Sequence, residues 1–489
     1  MGKYSRNLIF FTLSFTTIGC NQDLKEAKVF PSATLNQPLD EAFTSMQFCK
    51  GDWPTRQWWD FFADQQLSYL IEKGLRQSPT LKKVQAKFGF AQQEAKKIRS
   101  ALLPSLSANY DESWSYFSKN GFVLGFYPLP STIALPSSAN ILDLSLNFSY
   151  EFDFWGKNRK KHEAALGLAM SELAQTIQAE LILSSLIAFA YFQSQTSHEQ
   201  IVVYEKILHL WDTMQTLLIQ RRDTGLDSAY DVLTIQEKID QAQKKLLDWK
   251  KEQQIDLIVL KNLIGEDPDS LIRLTDASTV FEQPFPLPPE IGMHLLARRA
   301  DLISKIWVAE SASKQIGVAR TEFYPNINLN AIGGFESLQF NTLLKGDSLM
   351  GSLIPSISLP LFTGGRLEAN LQSKIALFNE AVEDYNEALL QAVKEVATEL
   401  KTLGTLHDQI EVQKNFLDTV CQKEGLTRGR YTAGLDNQLE VFLAQIQVLE
   451  NQSDMLTLQN YRLLSIVRLI KSLGGGFEAD KVPTIQGGY

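Results

Sequence analysis

The chain holds five histidines and three cysteines, the residue types most able to bind a metal or carry a nucleophile, and none stands where that chemistry needs it. His162-Glu163 and His198-Glu199 open like an HExxH zinc motif, in which two imidazoles one helical turn apart share the ion. The fifth positions are Leu166 and Val202, so the second ligand is missing in both. Cys49 and Cys421 make neither a disulfide framework nor a metal spacing. No phosphate loop and no nucleophile elbow occurs, so no catalytic residue, metal or cofactor is expected and an enzyme is set aside. The ionisable residues that do recur are carboxylates at two turns. Gly225-Leu226-Asp227-Ser228-Ala229-Tyr230-Asp231-Val232 is answered by Gly434-Leu435-Asp436-Asn437-Gln438-Leu439-Glu440-Val441, and the glycines lie 209 residues apart (434 − 225). That offset is too long for a solenoid repeat and suits a duplicated domain-sized unit.

The elements that position those turns are long. Gly with Asp and Asn or Ser is turn chemistry, and a helical pattern enters and leaves each copy. No proline occurs between Gly156 and Gly265, so the limbs on either side of Gly225 run for about 65 and 38 residues, roughly 100 and 57 Å at the α-helical rise. Helices of that length need coiled-coil support. Leu181 to Phe192 is the most apolar part, but Ser184 and Ser185 interrupt it and Glu180 and Gln193 bound it. It is read as a buried helical segment rather than a membrane span.

The clearest strand is Leu142, Leu144, Leu146, Phe148, Tyr150, Phe152 and Phe154, alternating with Asp143, Ser145, Asn147, Ser149, Glu151 and Asp153. A half-buried strand of a soluble sheet usually runs about 5 or 6 residues. One of about 13, ending in aromatics, is long enough to cross a bilayer at a tilt. Leu106, Ala108 and Tyr110, then Trp114 and Tyr116, give it a partner after a helical pattern from Gln66 to Leu103 that breaks at Pro104. Past the Pro-rich stretch Gln283 to Pro289 the series repeats. Leu295 to Phe323 is helical, Pro325 answers Pro104, Ile327, Leu329 and Ala331 alternate with Asn326, Asn328 and Asn330, and Ile357, Leu359 and Leu361 return. The offset is 221 (325 − 104) before the strands and 209 after them, which places 12 extra residues (221 − 209) in the first hairpin, at the Pro128 to Pro136 loop. The expected division is a signal peptide over 1–19, an extended segment over 20–65, a first repeat over 66–280, a linker over 281–290, a second repeat over 291–474 and a tail over 475–489. Each repeat carries a helix, a β-hairpin (105–155, 326–362) and a helical hairpin (157–264, 366–473).

Four amphipathic strands cannot close a barrel, and lipid tolerates no unpaired sheet edge. More copies must supply strands, and three would give 12, so a homotrimer is expected with its helical hairpins packed into one tube. The expected class is an α+β membrane protein whose polar-lined barrel and tunnel make a conduit. A pore-free coiled-coil stalk is the other class of reading, and the alternating strands count against it. The formal charge of −9 argues against nucleic acid as a partner. At the N-terminus Lys3 and Arg6 precede the apolar run Leu8 to Ile18 and then Gly19-Cys20, an export signal too short to span a bilayer. Ile18-Gly19-Cys20 resembles a lipoprotein lipobox, with Thr17 where Leu is usual. The resemblance implies acylation of Cys20 and, with Asn21 next, sorting to the outer membrane.

Taken in order, several motifs resemble the TolC-like outer-membrane efflux proteins, in the lipoprotein branch serving resistance–nodulation–division (RND) pumps. They are Trp58-Trp59-Asp60-Phe61, Ala101 to Leu106, Tyr150 to Lys157, Leu295-Leu296-Ala297-Arg298-Arg299-Ala300-Asp301, Leu359 to Arg366, Arg430-Tyr431-Thr432-Ala433-Gly434 and Leu473-Gly474-Gly475-Gly476. The resemblance covers nearly the whole mature chain. It implies a trimeric barrel in the outer membrane, a periplasmic tunnel closed at its tips, a periplasmic adaptor docked there and an inner-membrane RND-type transporter supplying energy. Cargo would be small molecules, with a type I protein-secretion duct as the alternative. The chain departs at Ala300, where Pro after paired Arg is usual and whose absence loosens the helix start, and at Phe477, where Trp is usual. It departs again at Leu443, where an Asp often lines the constriction.

On that resemblance the gate residues are Arg430, Tyr431, Asp436, Leu439, Glu440 and Leu443, with Asp227, Tyr230 and Asp231 in the first tip. Leu439 and Leu443 would form an apolar ring that gates by dewetting, and the carboxylates would ring the pore with a cation preference. Tyr431 and Arg430 would latch neighbouring hairpins. Thr224, Gly225, Leu226, Ala433, Gly434 and Leu435 would meet the adaptor, with the glycines letting helices approach closely.

Overall fold

The computed structural model describes residues 48–118, 138–272, 274, 285–287 and 298–478. Cys20, the signal segment and the Pro128 to Pro136 loop therefore lie outside the described residues.

Each long strand follows from period-two patterning. β2 (Ser105–Tyr116), β3 (Ser138–Phe152), β5 (Asn326–Ser337) and β6 (Leu349–Ser358) form one antiparallel sheet in the order β2-β3-β5-β6. The register lays Leu106, Phe148, Ala331 and Leu353 in one row across all four strands and Ser107, Asn147, Ile332 and Ser352 in the next. One face is thus mainly apolar, and Leu106, Tyr110, Trp114, Leu353 and Ile357 stand exposed on it. A surface of that kind fits lipid rather than water. Among the described residues, β2 and β6 each have a partner on one side only. At the end of β3 aromatic rings gather: Tyr150 meets Phe152 edge-on, and Trp155 stacks on Tyr324 at 4.9 Å while its indole N–H donates to the Pro325 carbonyl at 2.7 Å.

The helical layer is built twice. α1 (Gln65–Gln77) and α2 (Pro79–Arg99) precede the first hairpin, followed by α3 (Lys157–Asp223) and α4 (Ala229–Ile264). α5 (Ala300–Thr321) precedes the second, followed by α6 (Arg366–Thr432) and α7 (Gln438–Ser472). α3 and α6 are each 67 residues long, and their starts differ by 209 (366 − 157), as do the starts of α4 and α7 (438 − 229). α2 and α5 start 221 apart (300 − 79), as do β2 and β5 (326 − 105). Towards the sheet the helices pack as an arc α2–α3–α5–α6, and away from it as α4–α3–α7–α6.

The structure departs from the sequence reading in the helix before the first hairpin and in the linker. The helix expected from Gln66 to Leu103 is divided at Ser78, because Pro79 has no N–H to continue a helix and serves instead as the first residue of the next. The Pro-rich stretch is more than a linker: within it β4 (Phe285–Leu287) pairs in parallel with β1 (Phe48–Lys50).

A collar of core residues girdles the middle of the helical layer. Trp58, Trp59 and Phe62, on a 3-10 turn in the segment expected to be extended, pack with Leu67 and Ile71 against the apolar part of α3 and against α6 and α7. Ile187, Ala188 and Tyr191 of that part are fully buried, so the segment is core and not a span. The Tyr191 hydroxyl donates to Asp64 at 2.6 Å, and burial with that hydrogen bond raises the phenol far above its ordinary pKa. Asp64 also caps α1 by accepting from the amides of Gln66 and Leu67. Arg299 ties three segments together. Its guanidinium is buried, pairs with Asp301 at 2.7 Å and Glu395 at 2.9 Å, and donates to the Ser472 carbonyl at 3.0 Å. α5 begins at Ala300, where Pro was expected, and Ala300 itself is buried.

Candidate functional site

The two helical hairpins end in turns built the same way. At the first tip the Gly225 amide donates to the Arg222 carbonyl and the Leu226 amide to that of Arg221, both at 2.8 Å. At the second, Gly434 donates to Tyr431 and Leu435 to Arg430, both at 2.9 Å. This paired closure of a helix C-terminus puts its glycine in the left-handed region, at φ +77° for Gly225 and +75° for Gly434. A Cβ at either position would meet nothing within 4 Å. Within the chain, glycine is therefore favoured at both turns by backbone conformation.

Each turn is locked by an arginine six residues before an aspartate. Arg221 holds Asp227 through contacts of 2.6 and 3.1 Å, and Arg430 holds Asp436 through 2.7 and 3.1 Å. The Arg430 hydrogen bond keeps the Asp436 carboxyl below the usual carboxylate range, and Asp436 raises Arg430 in turn. Asp231 is engaged as well. It accepts from the Ser228 hydroxyl at 2.7 Å and the Ser228 amide at 3.0 Å, which lower its pKa, while Ser228 caps it back in a reciprocal capping box. Asn437 caps α7 by accepting from the Glu440 amide at 3.0 Å.

Asp227, Asp231 and Asp436, three of the four carboxylates expected at the pore, are each engaged within their own hairpin, and Arg430, expected as a latch, pairs with Asp436 in its own turn. Glu440 remains exposed, with a side chain that makes no hydrogen bond or ion pair among the described residues. The two leucines also separate. Leu439 packs partly buried against the core cluster that α3, α4 and α7 share, whereas Leu443 is 41% exposed. Tyr230 and Tyr431 are exposed, and Leu226 and Leu435 project from the two tips to almost the same degree, 69% and 68%. Thr224 and Ala433 are the C-caps of α3 and α6 and are exposed too. The sequence reading missed the Arg221–Asp227 clasp. Its signal was the same six-residue Arg-to-Asp spacing in both copies.

No group of three His, Cys, Asp or Glu among the described residues is placed to hold a metal ion. A sheet with one lipid-compatible face and two free edges, continued by a helical layer with two like tips, defines a membrane conduit. The chain belongs to the outer membrane efflux protein family, whose model matches residues 70–266 and 293–475. It is 28% identical over 490 residues to the multidrug resistance outer membrane protein MdtP of Escherichia coli K12, covering 98% of both chains. It is 27% identical over 471 residues to MdtQ of Escherichia coli O6:H1, covering 96% of this chain and 97% of that one. Among solved structures, VceC of Vibrio cholerae is 31% identical, with a TM-score of 0.74 over 87% of this chain and 100% of its own. MtrE of Neisseria gonorrhoeae, at 22% identity, shares the fold with a TM-score of 0.78 over 93% and 98%. The protein is an outer-membrane channel of an efflux system, a transport duct, and the names of these relatives favour efflux over the protein-secretion alternative.

Proposed function

We propose that three copies close a twelve-stranded barrel and form a passive exit for small toxic molecules and drugs, with Cys20 acylated in the outer membrane. A periplasmic adaptor seats on the exposed tips, Thr224 to Leu226 and Ala433 to Leu435, and an inner-membrane RND-type transporter drives the flux. The observation that carries this reading is the pair of free edges on β2 and β6. Their backbone groups need partners in lipid, and a second and third copy are the partners to hand. In this reading Tyr431, Glu440 and Leu443, exposed at the tip, line the constriction of the trimer, while the Arg–Asp clasps shape the turns that present them. Light scattering of the detergent-purified protein tests the assembly, with three times the chain mass expected and a monomer refuting it. Labelling with palmitate tests the anchor: Cys20→Ala should abolish incorporation.

A further inference from the structure

The duplication fixes how copies meet. Inside one chain the first repeat joins the second through α3 against α5 and β3 against β5. The free edges carry the repeat-equivalents of those same elements: α6 and β6 answer α3 and β3 at an offset of 209, and α2 and β2 answer α5 and β5 at 221. A junction between α6 of one copy and α2 of the next would therefore repeat the internal junction, contact for contact.

The internal junction is known in detail. Ser171 of α3 and Ser304 of α5 share a buried hydrogen bond of 2.8 Å, and the Gln175 amide donates to Ser304 at 3.3 Å. Transferring these positions gives Glu380 (171 + 209) and Asp384 (175 + 209) on α6, facing Lys83 (304 − 221) on α2. Two neutral hydroxyls become a carboxylate and an ammonium. Both Lys83 and Glu380 are exposed in the single chain, and neither makes an ion pair among the described residues. One turn nearer the sheet the correspondence continues. Gly167 lies against Ser311, where a Cβ would come within 3.2 Å, and the equivalents are Ala376 and Phe90. Phe90 is 68% exposed, an apolar ring left in water by the isolated chain.

Resting on the trimeric reading above, we infer that neighbouring copies join through an α6–α2 seam in which Glu380 pairs with Lys83 of the next copy and Phe90 packs beside Ala376. The partner is a second copy of this chain. Opposite charges at matched positions stabilise this register and penalise slipped ones. Asp384, already paired with Lys305 of its own chain at 2.7 Å, would stand one turn from Glu380 and add to the field at Lys83 of the next copy.

The test is a disulfide between Lys83→Cys and Glu380→Cys in one chain. The two positions lie on opposite edges of the helical arc, so any bond between them joins two copies. Oxidation should give a covalent ladder up to trimer that collapses on reduction, while each single variant and the off-register pair Lys83→Cys with Lys394→Cys give none. A protein that scatters as a trimer yet yields no ladder, or one in which the off-register pair links equally well, overturns the seam and leaves the trimeric reading intact. A monomer overturns that reading itself. Charge exchange gives a second readout: Lys83→Glu alone should lose the trimer in unheated detergent gels, and adding Glu380→Lys should restore it.

Discussion

Arg430 grips Asp436 across the second tip through two contacts of 2.7 and 3.1 Å, bracketing the turn whose glycine must adopt a left-handed conformation. Arg221 and Asp227 do the same at the first tip. Because the pair depresses the Asp436 pKa, its stabilisation is present above the ordinary carboxylate value of 3.8 and is lost as pH falls through the lower folded value. Hydrogen exchange at the Gly434 and Leu435 amides should therefore be slow at neutral pH. Their protection relative to the intrinsic exchange rate at the same pH should fall in strong acid and in Arg430→Ala, and unchanged protection in that variant would mean that the backbone bonds alone hold the tip.

The glycines divide into two kinds. Gly434→Ala adds a methyl group to open space and bears only left-handed strain, about 1 kcal/mol, with Gly434→Asn milder. Gly474 combines φ +93° with close approach, since a Cβ there would overlap the Arg298 carbonyl oxygen. Gly474→Ala should therefore lower the thermal midpoint far more than Gly434→Ala. Equal shifts would contradict the assignment.

Arg299 sits in the collar with two carboxylates and a helix-end carbonyl around it. Arg299→Met leaves Asp301 and Glu395 without their cation and should cost about 3 kcal/mol, read as a shift in denaturant midpoint. A loss well below 1 kcal/mol would show that the network is incidental to collar stability.

Asp256 on α4 is half-buried, and desolvation pushes its carboxyl up to about 6 despite a hydrogen bond from Ser197. A raised carboxyl pKa means that the folded state holds the proton more tightly. Stability from this group therefore falls as pH rises from 3.8 to about 6 and stays lower above. Asp256→Asn should match the wild type near pH 4 and exceed it at pH 7 by about 1 kcal/mol, allowing for solvent screening. Thermal midpoints across that range decide it.

Much of this architecture is legible in the sequence because its signals are local. Alternation at β3 and the proline-free runs of α3 and α6 need no knowledge of the rest of the chain. What escaped depends on distant partners or on one overlooked residue. Arg299 draws its contacts from α5, α6 and the end of α7, which no spacing reveals. The β1–β4 pairing is a backbone contact between segments whose side chains carry no pattern. Pro79 was readable and marks the start of α2. At the tips the residue types pointed to the right turns, but the local partners of Asp227, Asp231 and Asp436, each within six residues, went unread.

Planar-bilayer conductance of the purified protein, wild type against Leu439→Ala with Glu440→Ala, tests the central claim most directly. Leu439 braces the tip seam and Glu440 is the exposed carboxylate there, so a gated channel should be nearly silent in the wild type and conduct steadily in the double variant. A variant as silent as the wild type would place the closure elsewhere, and a protein that never conducts would contradict the conduit itself.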